Sequence, residues 1–188
     1  MKLEIREMPV RLMLMALIIL VTGVTSFGQS LGNVEVTGNL GIVGGIGTHA
    51  SFGGTLAAPL TDKLILAGDL SYIPFGSGSV TTLGSTTSSS AKAINFNGTL
   101  QYEFKPSHGV VPYAGGGLGF LRSSFDYNRS GTTAFNTSGS STDVYVNMGG
   151  GLRYYVKERW GFKPEFMIFA GPNTYSRFAV GLFYQFGE

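Results

Sequence analysis

The chain of 188 residues is long enough for one domain with its own core. Charged residues make up 13%, where a soluble globular chain carries about a quarter, and 29 residues are Gly. A formal charge of +2 offers no basic patch, which excludes nucleic acid as a partner. The lack of Cys excludes disulfides, thiolate metal sites, a Cys nucleophile and a lipid-modified N-terminal Cys.

Lys2, Arg6 and Arg11 flank an apolar run of ten residues from Leu12 to Val21, and the small residues Ser26 and Gly28 follow. That order reads as a secretory signal cut after Gly28, dividing the chain into residues 1–28 and 29–188. The run is too short for a membrane anchor, which takes about 20 residues. No later segment is apolar over that length, so any membrane insertion is expected through strands.

From Val34 onward the chain alternates with period two, the spacing of a β-strand. The first strand sets Val34, Val36, Leu40 and Ile42 against Glu35, Thr37 and Asn39, and Gly44 to Gly47 forms a tight turn. The second sets Phe52, Leu56 and Ala58 against Ser51, Gly53 and Thr55. Pro59 to Asp62 turns the chain, Pro fixing φ and Asp bonding the nearby backbone. The third strand sets Leu64, Leu66, Leu70 and Tyr72 against Lys63, Asp69 and Ser71. Residues 76–92 are rich in Ser, Thr and Gly, show no periodicity and are expected to form a loop.

The fourth strand sets Ile94, Phe96, Leu100, Tyr102 and Phe104 against Asn95, Asn97, Thr99, Gln101 and Glu103. A turn over Lys105–Gly109 leads to a fifth strand from Val111 to about Ser123, where Ala114, Leu118 and Phe120 oppose Gly115, Gly117 and Gly119. Residues 126–142 are expected to form a second long loop. Three further alternating runs follow, over Asp143–Val156, Phe162–Ile168 and Phe178–Phe186. Eight strands is an even number, so the last can pair with the first and close the sheet. Short connections after strands two, four and six, with the long ones on the other side, match an outer-membrane barrel whose long loops face outward.

Alternation alone leaves open which face points out, since a soluble ligand-binding barrel has the same pattern inverted. Three observations favour lipid on the even face. The odd face is rich in Gly (Gly41, Gly53, Gly115, Gly117, Gly119, Gly149, Gly151, Gly181), which would weaken a solvated surface but leaves room in a narrow lumen. Aromatics on the even face gather near strand ends as Tyr72, Tyr102, Phe104, Tyr154, Trp160, Phe162, Tyr184 and Phe186, the pattern of a headgroup girdle. The even face also carries no charge within any strand core, Arg122 coming only at the loop end of the fifth strand.

Four stretches carry a family likeness: Val111-Pro-Tyr-Ala-Gly-Gly-Gly-Leu-Gly119, Gly149-Gly-Gly-Leu-Arg-Tyr-Tyr155, Trp160-Gly-Phe-Lys-Pro-Glu165 and Phe178-Ala-Val-Gly-Leu-Phe-Tyr-Gln-Phe186. Through them the chain resembles the small outer-membrane β-barrel family that includes the OmpA transmembrane domain and OmpX-like proteins. The resemblance covers essentially the whole mature chain. It implies an all-β, eight-stranded antiparallel transmembrane barrel in the bacterial outer membrane. It further implies that the barrel-assembly machinery reads the aromatic last strand at Phe178, Tyr184 and Phe186, although Gly187 and Glu188 follow here. No peptidoglycan-binding domain is expected after the barrel, so an anchoring role does not carry over.

Asp69, Arg153, Lys163, Glu165 and Arg177 are the odd-face charges singled out as a lumen network, with Arg153 and Glu165 expected at similar depth. A charge in a narrow lumen has to be paired, so a structural salt-bridge network is expected, with a gated polar path as the alternative. An eight-stranded barrel is filled by its own side chains, which argues against general diffusion. His49-Ala-Ser51 matches the His-x-Ser pair of some outer-membrane lipid A deacylases, but both residues fall on the lumen face with no acidic partner evident, so no enzyme activity is expected. His108 lies in a turn, and two His without Cys make no metal site, so no cofactor is expected. Gly115, Gly117 and Gly119 repeat inside a strand with no Lys-Ser/Thr after them, which points to packing and away from a phosphate loop. The expected role is structural or surface interaction, with outer-membrane lipid as surroundings and any extracellular ligand met through residues 76–92 and 126–142. Alternatives are a narrow channel and a soluble exported barrel binding an apolar ligand.

Overall fold

The computed structural model describes residues 34–45, 47–82, 85–131 and 134–187. The expected signal over 1–28 and its cut after Gly28 lie outside the described residues. Eight strands follow in order: β1 (Val34–Gly44), β2 (His49–Pro59), β3 (Leu64–Thr82), β4 (Ser85–Glu103), β5 (Val110–Ser130), β6 (Phe135–Lys157), β7 (Trp160–Ala170) and β8 (Tyr175–Phe186). Each pairs antiparallel with its neighbours, and β8 returns to β1 from Val34↔Phe186 through Gly44↔Ser176. Closure leaves the wall without an open strand edge, whose backbone groups hydrocarbon could not satisfy.

The turns at one rim are short. Thr61 accepts a hydrogen bond at Oγ1 from the Leu64 amide at 3.1 Å, tightening the β2–β3 turn. In the β4–β5 turn His108 and Gly109 take φ of 50° and 77°, the left-handed values that reverse the chain within a few residues. His108 is exposed there and hydrogen-bonds Ser107 through Nδ1.

The even positions of the barrel wall face outward, as the alternation implies. Leu40, Phe52, Leu118, Phe120, Met148, Phe166, Phe178 and Leu182 all stand exposed on this surface, an apolar band that would drive aggregation in water and is at home in lipid. The odd positions fill the lumen in layers. Arg153, Lys163, Glu35, Asp69, Arg177 and a set of Asn, Gln, Ser and Thr side chains occupy the middle and the short-turn half. Above them Val43, Ile73, Ala93, Leu121, Tyr145, Met167, Phe169 and Tyr175 form an apolar stopper toward the other rim. Phe169 and Tyr175 stack there at 4.5 Å, with Tyr145 edge-on to Tyr175 at 5.2 Å. The odd face is therefore polar over part of its height and greasy at one end.

Residues 76–82, 85–92, 126–130 and 135–142, expected as loops, are paired strand. β3 and β4 continue their register from Gly76↔Ala91 to Thr82↔Ser85, and β5 and β6 from Ser124↔Ser140 to Arg129↔Phe135. The β4–β5 ladder runs as far as Thr86↔Ser130, so the two hairpins form one four-stranded sheet. This sheet stands clear of β1, β2, β7 and β8, which span only 11 or 12 residues against 19 to 23 for the middle four. A ribbon wetted on both faces has no apolar face, so period-two hydropathy is silent even where Ser and Thr ladders pair. A bulge at Pro74–Gly76, with Gly76 at φ 113°, shifts β3 by one residue and reverses which of its parities faces outward above it.

Membrane-extracted protein is expected to run as a compact, faster band unheated and to shift on boiling in detergent gels; a soluble protein with no shift would contradict the barrel in lipid. A Cβ at Gly117 would collide with the Gly98 carbonyl on β4, and a backbone cannot swing aside. Gly117→Ala is expected to lower stability by about 1–3 kcal/mol, read as a reduced urea midpoint in lipid vesicles.

Candidate functional site

The lumen charges form two groups. In the first, the wholly buried Arg153 guanidinium donates from Nε to Glu35 Oε2 at 2.7 Å, from Nη1 to Glu103 Oε1 at 2.8 Å and from Nη2 to Gln101 Oε1 at 2.8 Å. Lys163 Nζ reaches Glu35 Oε1 at 2.8 Å, so Glu35 sits between two cations. Thr37 adds a hydroxyl donor to the same carboxylate at 3.3 Å. Four strands meet here: β1, β4, β6 and β7.

In the second group Arg177 on β8 donates to Asp69 Oδ1 at 2.7 Å, to Ser71 Oγ at 3.0 Å and to Glu165 Oε1 at 3.1 Å. Asp69 also accepts from Asn39 Nδ2 at 3.2 Å, Thr55 Oγ1 at 3.1 Å and Asn97 Nδ2 at 3.3 Å. A carboxylate with this many donors has its lone pairs satisfied without water, the condition for burying a charge.

Tyr113 on β5 joins the groups. Its hydroxyl donates to Glu165 Oε2 at 2.8 Å, while its ring lies under the Arg153 guanidinium, 4.6 Å from its centre, and 5.2 Å from Lys163 Nζ. The ring fits because Gly151 lies opposite: a Cβ there would stand 2.7 Å from the Tyr113 hydroxyl. Here glycine makes room for a large lumen side chain.

All five charges singled out from the sequence lie in the lumen, but Arg153 and Glu165 belong to different groups. Glu165 pairs in register with Gly151, two residues from Arg153, and turns to Arg177. The partners that Arg153 does take, Glu35 and Glu103, were legible only as odd-numbered residues of the first and fourth strands. Parity offers both as candidates, since Glu35 and Glu103 hold the same odd positions as Arg153, Lys163 and Arg177.

The space left between the groups is a void of about 10 Å³ bordered by Asp69, Asn97, Glu165 and Arg177, about the volume of one water molecule. With the apolar stopper above it, this packing weighs against a solute path. Ser51 is buried in the lumen and His49 packs edge-on against Phe75 at 4.8 Å, so neither faces lipid. Among the described residues no group of three His, Asp or Glu side chains is placed to hold a metal ion.

The outward aromatics divide between the rims. Tyr102, Phe104, Tyr154, Trp160, Phe162, Tyr184 and Phe186 gather at the short-turn end, paired edge-to-face as Tyr102–Phe104, Trp160–Phe162 and Tyr184–Phe186. Tyr72, between Phe52 and Ile94, stands at the opposite rim. Phe178, Tyr184 and Phe186 all point outward on the strand that closes the barrel.

Removing one partner of a buried ion pair leaves the other charge uncompensated, a cost of about 3–5 kcal/mol. Arg153→Ala is expected to lose that much in urea unfolding from lipid vesicles, and Lys163→Ala less, because Glu35 keeps Arg153. An unchanged midpoint for Arg153→Ala would remove the network from the account of stability.

A family model described as "Outer membrane protein beta-barrel domain" matches residues 14–186. Solved structures share the fold. The N-terminal β-barrel domain of Pseudomonas aeruginosa OprF is 20% identical with a TM-score of 0.57, over 83% of this chain and 98% of that one. A major outer membrane protein from Thermus thermophilus is 12% identical with a TM-score of 0.61, over 82% and 99%. Yersinia pestis Ail, the attachment invasion locus protein, solved with the heparin analogue sucrose octasulfate, is 11% identical with a TM-score of 0.53, over 82% and 97%. No curated protein matches the chain. With its closed eight-stranded wall and a match over nearly its whole length, the chain belongs to the outer membrane protein β-barrel family.

Proposed function

We propose that this protein is a surface-interaction element of the outer membrane, with the barrel as its rigid mount and the protruding sheet as its working part. The observation that carries the reading is the pair of free strand edges. The β2 register ends at Phe52↔Tyr72 and the β7 register at Val146↔Ala170. Residues 73–82 of β3 and 135–145 of β6 therefore present backbone N–H and C=O groups with no partner strand. Natural sheets guard such edges with charges, Pro or bulges. Pro74 and the bulge guard the base of the β3 edge, but from Gly76 to Thr82 and from Phe135 to Thr142 there is neither a charge nor a Pro. An unguarded polar edge suits strand addition by an extended segment of another protein, in which main-chain hydrogen bonds supply the affinity.

The outward aromatics at the two rims, Tyr72 on one side and Tyr102, Phe104, Tyr154, Trp160, Tyr184 and Phe186 on the other, serve this reading as membrane-interface anchors. The lumen network of Asp69, Arg153, Lys163, Glu165 and Arg177 serves it as the interior brace, and Phe178, Tyr184 and Phe186 as the strand read by the barrel-assembly machinery.

Replacing residues 77–90 and 126–138 by two-residue Asn-Gly turns keeps the barrel wall and shortens both free edges to residues 73–76 and 139–145. Cells carrying the shortened form are expected to lose adhesion to immobilised extracellular-matrix protein and to one another, while the extracted barrel keeps its heat-shifted mobility. Equal adhesion by the full and shortened forms would sink the reading.

A further inference from the structure

The outward surface of the barrel wall is apolar up to the rim that bears the long hairpins. There Lys92 on β4 and Arg122 on β5 stand at outward-facing positions, and they sit together: Lys92 pairs in register with Ser124, and Ile94 with Arg122. They are thus diagonal neighbours on adjacent strands, close enough for both to reach one small anion. Neither takes part in an ion pair among the described residues.

Their height matters. Tyr102, in the aromatic group of the short-turn rim, lies ten residues from Lys92 along β4. At about 3.3 Å per residue and a tilt of about 40°, that is about 25 Å along the barrel axis, the height of an outer-membrane apolar band. Lys92 and Arg122 therefore stand where the hydrocarbon ends, on the rim that bears the long hairpins and faces out of the cell. Two cations at that level, with Asp126 as the other diagonal neighbour of Lys92 on the same face, attract the phosphates of lipid headgroups and not acyl chains.

Directly beyond them the same face changes character. Ser90 and Asp126, then Ser88 and Asn128, continue the outward-facing rungs, and the bulge at Pro74–Gly76 brings Ser77 and Ser79 to the same side. Ser77, Ser79, Ser88, Ser90, Asp126 and Asn128 line a shallow hollow of about 290 Å³, all short hydroxyl, amide or carboxylate side chains. Such groups match the hydroxyls of a sugar.

Read outward along β4 and β5, the surface runs apolar, then dicationic, then hydroxyl-lined. A phosphorylated glycolipid has the same order: acyl chains, phosphate, sugars. We infer that this face is a binding site for a phosphorylated glycolipid of the outer leaflet, with Lys92 and Arg122 on its phosphate and the hollow on its saccharide. The hollow is built from side chains on the sheet's face, Ser77 and Ser79 of the β3 edge strand among them, whereas strand addition uses main-chain groups, so lipid retention tests the site separately from strand addition.

The test is lipid retention by the purified full chain, followed by native mass spectrometry from detergent micelles. The probes are a synthetic acylated glucosamine disaccharide bearing one phosphate, the same lipid without phosphate, and phosphatidylglycerol. The phosphorylated glycolipid is expected to be retained about tenfold better than its dephosphorylated form, as charge-assisted contacts imply. Lys92→Ala/Arg122→Ala is expected to erase that preference while the barrel keeps its heat-shifted mobility, and Lys92→Arg/Arg122→Lys to keep it. Ser88→Ala/Asn128→Ala is expected to weaken retention of the sugar-bearing lipid and leave phosphatidylglycerol unaffected. A phosphate preference that survives the double alanine variant overturns the cation site. Retention of phosphatidylglycerol equal to that of the phosphorylated glycolipid overturns the saccharide part.

Discussion

Hydrocarbon offers no hydrogen-bond partner, and the rest of this structure follows from that constraint. A strand crossing it has to pair on both sides, so the sheet has to close, and β8 has to find β1. Closure with eight strands encloses a lumen too narrow for bulk water. Any charge placed inside is then cut off from solvent and has to be matched by other side chains. Arg153, Lys163 and Arg177 face Glu35, Asp69, Glu103 and Glu165 for this reason, and Gln101, Asn39, Asn97, Ser71, Thr37 and Thr55 add hydrogen bonds to these charges.

The network also ties the wall together. Arg153 on β6 holds Glu35 on β1 and Glu103 on β4, while Arg177 on β8 holds Asp69 on β3 and Glu165 on β7. Tyr113 on β5 contacts both groups, through its ring on one side and its hydroxyl on the other. Most of these are cross-lumen struts between strands that share no ladder, and they resist ovalisation of the wall in a way ladder bonds cannot. Glycines opposite the large side chains are the complement, since the lumen has no volume for both. With the apolar stopper above the network, the lumen is filled by the protein's own side chains.

Outside the membrane the constraint reverses. Water satisfies backbone groups, so strands there need not pair on both sides, and four of them continue as an open sheet while the other four stop. The free edges and the hydroxyl-rich faces both belong to this region.

Parity determined much of this from sequence alone. Period-two alternation assigned Leu40, Phe120, Phe166 and Leu182 to lipid and Arg153, Lys163 and Arg177 to the lumen, and it counted eight strands. It works because the side chains of a strand alternate faces whatever the partner. It failed at residues 76–92 and 126–142, where both faces are wet and alternation has no cause. It was also blind to the apolar stopper, whose residues share the lumen parity with the charges. Only the tertiary structure decided who pairs with whom: Glu35 meets Arg153 across 118 positions because closure and strand tilt bring them to one depth, and no local pattern encodes depth across a lumen.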